Sequence, residues 1–184
     1  MVPGAHPAAP RRGGVVPGGI RFCRQRHRVD GLAFVPGDAE RLPFEADTFD
    51  AVINVEASHC YPAFPRFLAE AARVLRPGGH LLYADFRFGD GVAGWERALA
   101  EAPLQIQRSR SINAEVLRGI ALNSRRYLGL IARRLPRWLH PLGRDFAGVT
   151  GSRTHAAMTS GELSYRSYCL AKPGPPSREA ARPS

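Results

Sequence analysis

Lysine is almost absent from this chain: Lys172 is the single lysine among 184 residues, so nearly all the positive charge is arginine. A net charge of +10 would otherwise suggest a nucleic-acid partner. The positive charge is scattered, however, apart from the stretch Arg118 to Arg144. Aromatic residues are not interleaved with it as on a base-stacking surface. A basic nucleic-acid-binding module is therefore the weakest reading. Cysteine is scarce as well. Cys23, Cys60 and Cys169 are far apart and odd in number, and no CxxC pair offers a zinc or redox site. They read as reduced, mostly buried thiols, and no metal is expected. No apolar run reaches the roughly 18 residues of a membrane span. Residues 1–19 hold Pro, Gly, Ala and Arg without the apolar core of a secretory signal, which places the protein in the cytoplasm. Acidic residues are missing from the first 29 positions, Asp30 being the first.

The remaining composition is that of a globular domain, with 44% apolar residues in a chain long enough to bury a core. Residues 1–17 (MVPGAHPAAPRRGGVVP) offer no periodic apolar face and are expected to be disordered, as is the Pro/Ser/Arg-rich tail 173–184. From Gly18 the pattern changes. GGIRFCRQRHR sets Ile20, Cys23 and His27 on one helical stripe. LAFVPGD predicts a short buried strand ending in Gly37-Asp38, and AERLPFEADT predicts a loop. FDAVINVEA is almost continuously apolar and predicts a strand buried on both faces. PAFPRFLAEAARVL carries Phe64, Phe67, Leu68, Ala71 and Leu75 at helical spacing, and Arg76-Pro77-Gly78-Gly79 is placed to stop that helix. HLLYADF predicts a third strand.

Strand, helix, strand with tight glycine stops points to parallel pairing in an open α/β sheet. Further on, VAGWERALAEA predicts a helix and PLQIQRSRSI a strand. A long helix is expected from Asn113 to Arg134, with Ser111 or Asn113 as its cap. LSYRSYCLAK alternates as an edge or antiparallel strand does.

Three segments together carry a resemblance: GDAERLPFEADTFDAVINVEASHCYP, RFLAEAARVLRPGGHLLYADFR and LSYRSYCLAK. They resemble the middle and later motifs of class I S-adenosylmethionine (SAM) methyltransferases of the UbiE/type 11 kind. Within that family they are most similar to the phthiotriolone/phenolphthiotriolone dimycocerosates methyltransferase group. RVLRPGG marks the superfamily, whereas NVEASHCYP with YADFR downstream is more specific. The resemblance covers about Gly18 to Lys172. It implies a partial methyltransferase domain over 18–172, with a helical cap over 113–160.

The implied chemistry falls on particular residues. Asp38 would accept from the adenine amino group of SAM, and the Ala39 N–H would donate to a ring nitrogen. Against this stands the plainer reading that Asp38 caps a turn after a strand. Asn54, Val55 and Glu56 would line the methionine end. A buried Glu56 carboxylate would need a partner, which favours a site. His59 would be the general base and Asp85 its orienting carboxylate. The alternatives are that His59 only shapes the pocket and that Asp85 caps a helix. Many such enzymes work mainly through proximity and orientation. The cap carries Arg118, Arg125, Arg126, Arg133, Arg134 and Arg137 among Leu, Ile and Trp. This could be a membrane contact or simply a solvated helix face.

The family's glycine-rich first turn and its ribose-binding acidic residue have no counterpart in the sequence. The resemblance implies a strand order of 3-2-1-4-5-7-6. Strands 1 and 2 are thus expected to be absent, leaving a Rossmann-like sheet truncated at its N-terminus. LAFV would then pair directly with AVINVE, or an edge would stay exposed. The function implied is O-methylation of a hydrophobic small molecule or lipid, with SAM as cofactor. The alternative is an inactive fragment that at most binds a ligand or partner.

Overall fold

The computed structural model describes residues 17–174. The expectations for residues 1–16 and 175–184 lie outside the described residues. Four strands form one sheet in the order β1-β2-β4-β3, where β1 is Phe49–Val55, β2 Leu75–Phe88, β3 Gln105–Ser111 and β4 Leu163–Ala171. The helices are α1 (Pro17–Arg26), α2 (Phe64–Val74), α3 (Gly89–Ala100), α4 (Asn113–Arg134), α5 (His140–Phe146) and α6 (Arg153–Ser160). The strand order equals the 4-5-7-6 half of the order that the resemblance implies.

β1 and β2 run parallel: the Thr48 N–H donates to the Val74 carbonyl, and Gly79 lies against the Asp50 carbonyl. β4 runs antiparallel to β2, with Gly78 and Lys172 N–H groups closing the ladder at 2.9 Å each. It is an interior strand rather than an edge, because β3 lies beyond it.

The chain divides into two compact units. One holds residues up to Tyr83, Arg97–Arg108 and the chain from Tyr168; the other holds Ala84–Glu96 and Ser109–Ser167. The first unit's core is Phe67, Leu68, Val74, Leu75, Leu81 and Tyr83, joined by Leu99 and Leu170. Helix α2 supplies much of it because Phe67, Leu68, Ala71, Ala72 and Val74 recur at helical spacing and are buried. Each large side chain buried there contributes about 1.5–3 kcal/mol. The second unit packs Met158, Leu163 and Tyr165 against Val116, Leu117 and Ile120.

Four sequence expectations are corrected. LAFV forms no strand: the Arg24 guanidinium takes the Phe34 carbonyl at 2.7 and 3.1 Å, and the segment pairs with nothing in the sheet. β1 is consequently an edge strand and is not buried on both faces. Val52 and Asn54 are buried, while Ala51, Ile53 and Val55 on the other face are exposed. The Arg-Pro-Gly-Gly segment does not separate helix from strand. α2 ends at Val74 and β2 starts at Leu75, running through those residues. Finally, neither Ser111 nor Asn113 caps α4; Ile112 stands at the cap without a side-chain bond. The Asn113 amide instead donates to the Met158 and Leu163 carbonyls and accepts from the Tyr165 N–H, tying α4 to α6 and β4.

Candidate functional site

Asp38 sits in the loop between α1 and β1. The loop has no regular structure of its own, so side chains from α2 hold it. Glu70 accepts from the Leu42 N–H at 2.8 Å. Arg73 donates to the Phe44 and Leu42 carbonyls at 2.7 and 3.0 Å and pairs with Glu70. Glu40 reaches back and accepts from the Ala63 N–H at the start of α2. The hydrogen bond from Arg73 holds the Glu70 carboxyl below its ordinary value of 4.5, outweighing the opposing effect of burial. Sequence reasoning missed this clamp. Its signal is the Glu-x-x-Arg spacing on one helix face.

Within the loop, Gly37 is required by a close approach. A Cβ there would lie 2.8 Å from the Pro43 ring. Asp38 Oδ1 accepts from the Glu40 N–H at 2.9 Å, so the carboxylate does cap its own turn. It remains solvent-exposed, and Ala39 beside it is buried. Asp38 and Ala39 thus present one carboxylate at a fixed place on the surface.

The end of β1 is anchored differently. Asn54 is buried and its amide donates to the Tyr61 hydroxyl at 2.7 Å, so its side chain braces the loop. Val55 is exposed. Glu56 is exposed too, so the expected buried carboxylate is not found. Its backbone is unusual instead: Glu56 holds φ +50°, a left-handed conformation that costs a non-glycine residue about 1–3 kcal/mol. Strain of this kind persists where the surrounding structure over-determines it. His59 is the middle residue of a short 3-10 turn, Ser58–Cys60. Ser58 is buried and bonds the Tyr83 hydroxyl at 2.6 Å. Tyr83 itself stacks on Tyr168, with ring centroids 5.9 Å apart. Ser58 thus pins the turn from below and leaves His59 exposed.

His59 belongs to the first unit and Asp85 to the second. Asp85 lies inside β2, three residues before the strand's end, and is fully buried. It therefore does not cap α3, which starts at Gly89. Its Oδ1 accepts from the Phe86 N–H at 2.9 Å, and Oδ2 lies 3.5 Å from the Arg87 guanidinium. Arg87 also donates to the Phe86 carbonyl and stacks over Trp95. The buried charge of Asp85 thus faces a fixed cation. Gly18 and Gly19, the first glycines described, lie inside α1 with open space around them. They make no close backbone approach of the kind a cofactor turn uses. Among the described residues, no cluster of His, Cys, Asp and Glu side chains could hold a metal ion.

Comparison with known proteins places this geometry. Residues 15–83 match the methyltransferase domain family. The chain is 54% identical over 167 residues to the phthiotriol/phenolphthiotriol dimycocerosates methyltransferase of Mycobacterium leprae, covering 91% of this chain and 62% of that protein.

Over most of its length the chain is thus similar to SAM methyltransferases.

It is also 48% identical over 157 residues to a fatty-acid O-methyltransferase of Mycolicibacterium smegmatis, covering 84% of this chain and 56% of the relative. The chain thus spans roughly three-fifths of the length of these relatives. Solved structures share the fold. A proposed sarcosine dimethylglycine methyltransferase from Galdieria sulphuraria aligns with a TM-score of 0.70 at 14% identity, covering 87% of this chain and 68% of that one. The [4+2]-cyclase SpnF aligns at 0.59 and 19% identity, over 84% of this chain and 61% of the other. Since a cyclase shares the fold, the fold by itself does not select methyl transfer.

Proposed function

We propose that this chain takes part in SAM-dependent methylation of a hydroxyl group on a lipid or other hydrophobic molecule. The observation that carries the reading is the 54% identity to a protein named as a dimycocerosates methyltransferase, supported by the fatty-acid O-methyltransferase relative. The bound cofactor would supply an electrophilic methyl group. The chain's own residues fit two of its ends. The exposed Asp38 carboxylate can accept from the adenine amino group while Oδ1 keeps its turn bond, and the Ala39 N–H lies in the same turn. Asn54, Val55 and the strained Glu56 form the strand end that would line the methionine part. His59, held in the open by Ser58, would take the proton of the acceptor hydroxyl.

The test is transfer of a labelled methyl group from SAM to long-chain hydroxyl and fatty-acid acceptors. Labelled acceptor is expected with the wild-type chain. His59→Ala should lower turnover by about 10²-fold or more while changing SAM affinity less than twofold. An unchanged rate would remove His59 as the base. Asp85→Asn is the companion variant. A role in orienting the base lowers turnover at constant Tm, whereas a packing role lowers Tm.

One observation favours a second reading, binding without turnover. β1 is an edge strand whose Ile53 and Val55 side chains are exposed, a surface suited to receiving further polypeptide. Transfer to no acceptor, with SAM binding intact, would select it.

A further inference from the structure

The second unit carries an exposed surface rich in arginine. The stretch 113–146 holds seven arginines against two acidic residues, Glu115 and Asp145. Both carboxylates are bound by arginines from outside the stretch: Glu115 by Arg110 at 2.5 Å and Asp145 by Arg153 at 3.0 Å. On α4 the arginines are ordered. Arg118, Arg125, Arg126 and Arg133 stand at i, i+7, i+8 and i+15, which places them on one helical stripe about 22 Å long. All four are exposed, and none forms an ion pair among the described residues. The opposite side of α4 faces inward through Val116, Ile120 and Ser124.

Large apolar side chains stand in this cationic field. Leu122, in the middle of the arginine stripe, is 79% exposed. The following segment adds Trp138 at 78% and Phe146 at 94%, with Leu142 one turn before Phe146 and also exposed. α5 is held against the end of α4: a Cβ on Gly143 would lie 2.8 Å from Leu135. Its exposed side chains are therefore mounted on a packed element. A solvated helix face explains the arginines but not an almost fully exposed Phe146 and an exposed Trp138. Arginine with protruding Trp, Phe and Leu is the composition that rests in the headgroup region of a bilayer: the rings enter the acyl boundary and the guanidinium groups meet lipid phosphates. No helix among the described residues is long and apolar enough to cross a membrane, so contact would be at the surface.

We propose that the α4–α5 surface, through its arginine stripe and Trp138, Leu142 and Phe146, docks onto an anionic lipid membrane. This goes beyond the transfer reading and does not depend on it. The tryptophans provide the probe, because Trp95 is 3% exposed and Trp138 is open to water.

The test uses the full chain with vesicles of phosphatidylcholine alone or mixed with phosphatidylglycerol. Co-sedimentation with the mixed vesicles is expected, weakening with salt, together with a blue shift of tryptophan emission. Trp138→Phe should abolish the shift while binding persists. The double variant Leu142→Ser/Phe146→Ser should lower binding at least tenfold. So should Arg118→Gln/Arg125→Gln/Arg126→Gln/Arg133→Gln, since each basic residue near an anionic surface is worth roughly a fivefold change. Thermal unfolding of each variant checks that it is folded. Three results would overturn the proposal: equal partition to both vesicle types, undiminished binding of the serine variant, or binding without a blue shift that single-stranded RNA displaces. None of these readouts involves methyl transfer, so failure here leaves that reading standing.

Discussion

Glu70 is the carboxylate on which the Asp38 loop depends. Removing it frees the Leu42 N–H and leaves the Arg73 guanidinium without its carboxylate. Glu70→Ala should therefore cost about 1–3 kcal/mol, read as a lower urea midpoint at neutral pH. The same residue gives a pH dependence. Its folded pKa lies below 4.5, so its contribution is fully present above that value and is lost as pH falls through the folded pKa. The urea midpoint of the wild-type chain should drop on acidification below about 4.5, where Glu70→Gln stays flatter. Equal slopes would remove Glu70 from the clamp. Residues such as Asp38, Asn54 and His59 stand out in the sequence as candidates because they lie within contiguous motifs. The bonds that hold them are not. Leu42 to Glu70 spans 28 positions and Ser58 to Tyr83 spans 25, and no periodicity in a single sequence encodes such pairs.

Elements were legible where the apolar pattern is long and where the ladder partner lies in the described chain. α2, α4 and β4 follow directly from their spacing. LAFV has the composition of a strand, but a strand needs a neighbour to pair with, and Arg24 takes its Phe34 carbonyl instead. β1 likewise has the composition of a doubly buried strand, because its sequence suits the middle of a sheet. Glycines separate two effects at this scale. Gly79 in β2 is tight, as a Cβ would lie 2.9 Å from the Arg76 carbonyl oxygen and 3.0 Å from that of Asp50. Gly94 in α3 is exposed, with nothing within 4 Å. Gly79→Ala should destabilise by about 1–3 kcal/mol, and Gly94→Ala should stabilise by roughly 0.5–1 kcal/mol. Thermal denaturation of both variants reads the contrast. A neutral Gly79→Ala would mean that β1 and β2 are less closely packed there.

Among the described residues the sheet has four strands, with β1 at its margin. β1 and β2 bear the exposed side chains Ile53, Val55 and Leu82. Such side chains should bind an apolar dye, and Ile53→Lys/Val55→Lys should reduce that fluorescence at least twofold with little change in Tm, since both are about half exposed. Undiminished dye binding would place the apolar surface elsewhere. The central claim, that this chain holds SAM through the Asp38 turn and the end of β1, is tested most directly by calorimetric titration of SAM into the purified chain. Saturable one-to-one binding, weakened about tenfold by Asp38→Ala on loss of a charged hydrogen-bond acceptor, is the predicted result. No heat at high micromolar protein would contradict it.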